Sequence, residues 1–164
     1  PTILEKKNVD MLTTHKVFSV AEIQSRYEIT LENYCKSVNI EALTMVDMAR
    51  KEILPAVEAY VRDLSDTLRA KKAAVPGAAA KYETGLIARL SALTDEIDDA
   101  AAALERAMIQ YKAIGDITEA ANMIRDVILQ KMAELRVPCD EAETLTAEKY
   151  WPFPTYGDLL FGVR

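Results

Sequence analysis

One uninterrupted stripe constrains this chain more than any other feature. Leu86, Leu90, Leu93, Ile97, Ala100, Leu104, Ala107, Tyr111 and Ile114 follow one another at spacings of four and three without a slip. Side chains on a helix return to one face every 3.6 residues, and a strict 3.5-residue period holds a seam against a partner through left-handed supercoiling. At 1.5 Å per residue the stripe makes a rod of roughly 43 Å. Small Ala100 and Ala107 allow a close approach midway along it. Leu86, Leu90, Leu93, Ile97, Leu104 and Tyr111 are therefore the expected helix seam.

The rest of the chain suits such a rod. Pro55, Pro76, Gly77, Gly85 and Gly115 are the only helix breakers between Thr2 and Val137. A sandwich or barrel needs a turn signal about every 8–12 residues, so both are excluded. With 50% apolar and 28% charged positions, the 164 residues have the composition of one globular domain. The expected fold is all-α, with long antiparallel helices in a bundle, a coiled-coil-like hairpin, and an irregular aromatic C-terminal tail.

Boundaries follow from caps and breakers. Ser19 and Glu22 stand at the spacing at which a hydroxyl and a carboxyl satisfy each other's free backbone N–H. A first helix over about 20–37 is expected there, and a second over about 39–73, kinked where Pro55 removes a hydrogen bond. Val75-Pro76-Gly77 reverses the chain. The long rod then occupies about 78–114, and Asp116 with Glu119 caps a helix over about 116–136, closed by Val137-Pro138. A short helical piece over 140–146 leads out of the bundle domain, 1–149, into the tail, 150–164.

Charge and side-chain chemistry exclude several functions. A net charge of −6 repels a duplex or an anionic membrane surface, so neither nucleic acid nor membrane is an expected partner. With neither an apolar run long enough to span a bilayer nor a secretory signal pattern, a cytoplasmic location is expected. Cys35 and Cys139 lack the spacing of a disulfide or zinc motif. The single His15, read as a surface or capping residue, rules out paired-imidazole sites. Asp95, Glu96, Asp98 and Asp99 read as a solvated face, since carboxylates on one straight helix cannot wrap a cation. Lys71, Lys72 and Lys81 read as cations near helix ends, because no glycine-rich phosphate loop accompanies them. No catalytic, cofactor-binding or metal-ligating residue is expected in this chain.

The tail is the informative exception. Tyr150, Trp151, Phe153, Tyr156 and Phe161 place five of the eleven aromatic rings in twelve residues, interleaved with Pro152, Pro154 and Gly157. Ring surface on that scale is rarely left in water, so these residues are the expected interface and docking anchors. They cover either the bundle itself or another domain or subunit.

Four strings point further: Ser25-Arg26-Tyr27-Glu28, Asn39-Ile40-Glu41-Ala42-Leu43-Thr44-Met45, Ile53-Leu54-Pro55-Ala56-Val57, and Tyr150-Trp151-Pro152-Phe153-Pro154-Thr155-Tyr156-Gly157-Asp158-Leu159-Leu160-Phe161. Together they resemble the C-terminal region of type III glutamine synthetases, the large bacterial form of that ligase. The resemblance implies a parent enzyme that joins glutamate and ammonia using ATP, with divalent metal ions such as Mg2+, and that assembles as a double-ringed oligomer. It places that machinery upstream, so ATP and metal belong to the parent and no cofactor to this segment. The first residue, Pro1, agrees with an excised domain. The implied role is a non-catalytic helical domain that contacts the catalytic body of its parent chain and neighbouring subunits. The alternative is an independent coiled-coil scaffold or signalling module binding a separate protein partner.

Overall fold

The computed structural model describes residues 2–162, apart from the side chain of Tyr156. Every regular element among them is a helix: a 3-10 turn at Thr2–Leu4, then α1 (Lys6–Thr14), α2 (Val20–Met48), α3 (Leu54–Ala74), α4 (Lys81–Lys112), α5 (Ile117–Met123), α6 (Leu129–Leu145) and α7 (Tyr156–Phe161). Two single π turns, Ala49–Ile53 and Ile124–Ile128, join α2 to α3 and α5 to α6 without a break. The chain thus forms three rods. At 1.5 Å per residue the α2–α3 rod runs about 80 Å and α4 about 48 Å.

Contacts along the rods fix their directions. Cys35 lies beside Tyr111, Arg50 reaches Asp98 and Glu105, and Lys71 pairs with Glu83 at 2.8 Å. Numbers rising on one rod match numbers falling on the other, so α2–α3 and α4 are antiparallel. Tyr27 meets Thr118 at 3.1 Å, and Met48 and Ile53 line a hollow with Leu135 and Cys139. The α5–α6 rod therefore runs parallel to α2–α3, and α4 lies against both.

Serving two neighbours widens the buried face of α4. Leu90, Leu93, Ile97 and Leu104 are fully buried, while Leu86, Ala100 and Tyr111 are half-buried. Ala101 and Met108 are buried as well, one residue beyond the stripe positions Ala100 and Ala107. A two-helix seam needs one narrow stripe, whereas a helix with partners on two sides needs a broad one. The opposing rods supply Val57 and Ala42 from one side and Ile124, Ile128 and Leu135 from the other. The core is closed within this chain.

Caps behave as their spacing requires at two starts. Ser19 and Glu22 form the reciprocal box, with Ser19 N donating to Glu22 Oε2 at 2.7 Å and Glu22 N to Ser19 Oγ at 3.3 Å. Asp116 Oδ1 accepts from the backbone N–H groups of Thr118 and Glu119, both at 2.9 Å.

Several expected boundaries are corrected. No break occurs at residue 38, because Cys35, Val38, Ala42 and Val46 continue one buried face with nothing to interrupt the ladder. Pro55, where a kink within one helix is expected, does lie inside a continuous rod. It sits at the start of α3, directly after the π turn in which the Leu54 N–H bonds the carbonyl of Ala49. A π turn opens the ladder by one residue, which is one way a helix accommodates a missing donor. The last rod does not close at Val137-Pro138: α6 runs through the buried Pro138 to Leu145 and absorbs the short piece expected at 140–146. Leu135, Pro138 and Ala142 all face the core, and their burial opposes the roughly 3 kcal/mol cost of an interior proline. The long rod begins at Lys81 rather than 78 and ends at Lys112. Helix α1 carried no sequence signal, since it has neither a capping side chain nor a buried residue.

Candidate docking surface

After α6 the chain packs onto α3. Tyr150 stacks obliquely on Tyr60, with ring centroids 5.2 Å apart and planes at 35°. Its hydroxyl donates to Asp63 Oδ2, and Lys149 Nζ lies 3.2 Å from the same oxygen. These two donors hold the Asp63 carboxyl below its ordinary range. Lys149 also lies 4.6 Å from the Tyr150 ring centroid. Burial pushes the Tyr60 phenol up, and the neighbouring Tyr82 adds to that shift.

Trp151 and Phe153 form the next layer. Their rings meet edge to face at 6.0 Å and 76°, and both pack, half-buried, against the bundle core. Pro152 between them and Pro154 after them are exposed. Alternation of ring and proline keeps this stretch extended, so two rings point inward while the prolines stay in water.

Beyond Pro154 the tail changes character. Thr155 and Asp158 form a capping box: Thr155 N donates to Asp158 Oδ2 at 2.9 Å and Asp158 N to Thr155 Oγ1 at 3.2 Å. The box starts the short helix α7, so the tail is irregular only as far as Thr155. Leu159, Leu160 and Phe161 are 68%, 71% and 82% exposed. An exposed run of three large apolar side chains is unusual on a finished surface. Of the expected anchors, Tyr150, Trp151 and Phe153 are together on the bundle and Phe161 stands apart in solvent; the side chain of Tyr156 lies outside the described residues.

Sequence reasoning puts Tyr60 on an apolar stripe with Val57 and Leu64 but does not link it to the tail, and it missed Asp63, because nothing local separates that position from others on the rod. It also missed Leu159 and Leu160. Thr155 with Asp158 shows the same spacing that marks Ser19 and Glu22 and could have announced the helix that carries them.

Elsewhere some members of the charged clusters pair with neighbours. Glu96 accepts from Arg89 at 2.8 Å and Asp98 lies 3.5 Å from the Arg50 guanidinium, while Lys71 is held by the buried Glu83. Among the described residues no three His, Cys, Asp or Glu side chains converge as metal ligands. His15 caps the end of α1 in solvent. No described helix is long and apolar enough to cross a membrane.

Comparison with known proteins adds to this geometry. Residues 1–72 match the family described as "Glutamine synthetase C-terminal domain". A protein named glutamine synthetase from Butyrivibrio fibrisolvens is 38% identical over the whole chain, which covers 23% of that relative. A type-3 glutamine synthetase from Dictyostelium discoideum is 24% identical over 97% of the chain and 22% of its own length. A glutamine synthetase from Bacteroides fragilis (strain YCH46) is 25% identical over 92% of the chain and 21% of its own length. The chain spans about a fifth of the length of these curated relatives.

Proposed function

Because the chain is a glutamine synthetase C-terminal domain, we propose that it serves a type III glutamine synthetase as a non-catalytic structural part. In this reading the parent polypeptide ligates ammonia to glutamate with ATP and a divalent metal, using residues outside this chain. The helical bundle is then a rigid mount, and the tail is the piece that docks on the catalytic body or on a neighbouring subunit of a homo-oligomer. The parent is a cytoplasmic enzyme.

The observation that carries this reading is the division of the tail. Trp151 and Phe153 fasten it to the bundle, while Leu159, Leu160 and Phe161 on α7 stand in water a few residues later. Interface energy concentrates in large apolar and aromatic side chains buried at the centre of a contact. Fixing the base of the tail reduces the ordering cost that a free segment would incur on docking.

The test uses the full-length enzyme. Phe161→Ala and Trp151→Ala are expected to lower its melting temperature or shift its oligomer size, with the glutamate and ATP KM values unchanged at the intact active sites. If both variants match the parent in size and melting temperature, the docking role is wrong. Recovery of a distinct partner by a chain indifferent to its own catalytic body supports the scaffold alternative.

A further inference from the structure

Away from the tail, the α2–α4 side of the bundle exposes a second apolar patch. Ile40, Leu43 and Ile109 are 62%, 44% and 70% exposed. Leu43, Met108 and Ile109 line a groove of about 300 Å3 whose other walls are Glu105 and Lys112. Residues 105, 108, 109 and 112 lie on one face of α4, being three, four and seven positions apart.

Charge is ordered around this patch. On α4, Glu105 stands one turn before its apolar middle and Lys112 one turn after it. On α2, running the other way, Lys36 precedes Ile40 and Leu43, and Asp47 follows them. Lys36 lies near Tyr111, and Arg50, one turn beyond Asp47, reaches Glu105. Lys36 and Lys112 therefore share one end of the patch, and Asp47 and Glu105 share the other. Pairing of Lys36 with Glu32 and of Asp47 with Lys51 partly offsets the α2 charges. Arg50 pairs with Glu105 at 2.7 Å, which offsets that charge in part while leaving the Glu105 side chain 42% exposed, and Lys112 has no ion pair among the described residues.

A patch that is basic at one end, acidic at the other and apolar between is complementary to itself after a half-turn. We propose that this face pairs with a second copy of the same chain about a two-fold axis passing beside Ile109, with the two α4 helices antiparallel. Glu105 of each copy then faces Lys112 of the other across an apolar centre, the residue-to-residue reciprocity that a two-fold interface requires. The patch is small, which places the pairing at the weak, concentration-dependent end of specific contacts. It uses a different surface from the tail, so either contact can fail without the other.

Sedimentation velocity on the 164-residue chain tests the pairing, with circular dichroism to verify that each variant keeps its helices. The parent chain is expected to shift from monomer to dimer as its concentration rises. Ile109→Glu, an exposed position, is expected to weaken the dimer at least about tenfold. Glu105→Lys and Lys112→Glu each create like-charge contacts in a homodimer and are expected to weaken it. An equimolar mixture of those two variants restores both opposite-charge contacts and is expected to dimerise where neither does alone. A chain that stays monomeric at every concentration, an Ile109→Glu chain that dimerises as well as the parent, or a mixture no better than its components overturns the proposal. So does protection of Ile109 by the catalytic body of the full-length enzyme in place of a second copy.

Discussion

Asp63 and Tyr150, 87 positions apart, are joined by a hydrogen bond from the phenol to the carboxylate. It is the point at which the tail is tied to the middle of α3, with Lys149 on the same oxygen.

The tie is sensitive to acid. The Asp63 carboxyl is lowered from an ordinary value of 3.8 by Tyr150 first and Lys149 second. A carboxyl lowered in the folded state contributes its full stabilisation above the unfolded value and loses it as pH falls through the folded one. The tail is therefore expected to loosen below about pH 4. Trp151 is the only tryptophan, so its emission reports the change directly. Asp63→Asn is expected to show the loosened signal at neutral pH and to lack the acid step. Superimposable titrations of the two proteins would falsify the tie.

Two apolar residues of α4 are expected to behave in opposite ways. Leu93 is fully buried and Ile109 is 70% exposed. Leu93→Ala removes packing that cannot fully collapse and is expected to cost about 2–5 kcal/mol in a denaturant titration. Ile109→Ala at low protein concentration is expected to change stability by no more than about 0.5 kcal/mol.

The π turn at Ala49–Ile53 is expected to set the register of the whole α2–α3 rod. Deleting Glu52 removes the extra residue and rotates everything after it by about 100° relative to α2. Val57 and Leu64, both buried, would leave the core. Thermal unfolding followed by circular dichroism should become broad and shift to much lower temperature. A sharp transition near that of the parent would mean that the turn is incidental.

Both thiols are expected to resist alkylation while the chain is folded. Burial pushes Cys139 up to about 11, with Asp140 adding to the shift. Burial also raises Cys35, against a smaller opposing effect of the Tyr111 hydroxyl. Since the thiolate is the reactive form, iodoacetamide at about pH 8 should label neither until denaturant is added. Intact-mass spectrometry distinguishes no, one and two adducts.

Legibility from sequence followed the range of the interaction. The Leu86 stripe and the Ser19 and Asp116 caps depend on residues within a turn or two, and they announced an all-helical bundle directly. What the breakers do depends on tertiary context. Pro138 marks a stop by itself, yet Leu135 and Ala142 on the same buried face carry the helix past it. Pro55 suggests a kink, and the structure places it after a π turn that no local pattern encodes. At the tail, Tyr150 stood out by composition, but its partners Tyr60 and Asp63 belong to a stretch of rod with no local mark of the contact. Contacts across some ninety positions leave no spacing to read.

Two of the three rods run in the same direction, and only one opposes them. Helix dipoles place partial negative charge at each C-terminus and partial positive charge at each N-terminus, about half a unit apiece. Where α3 and α6 finish beside the start of α4, two negative ends outnumber one positive end. Lys71 and Lys72 occupy the last turn of α3, Glu83 the first turn of α4, and Lys149 follows α6. Each of these dipole ends is thus met by side chains of the opposite charge, and this tip of the bundle is electrically compensated by its own sequence.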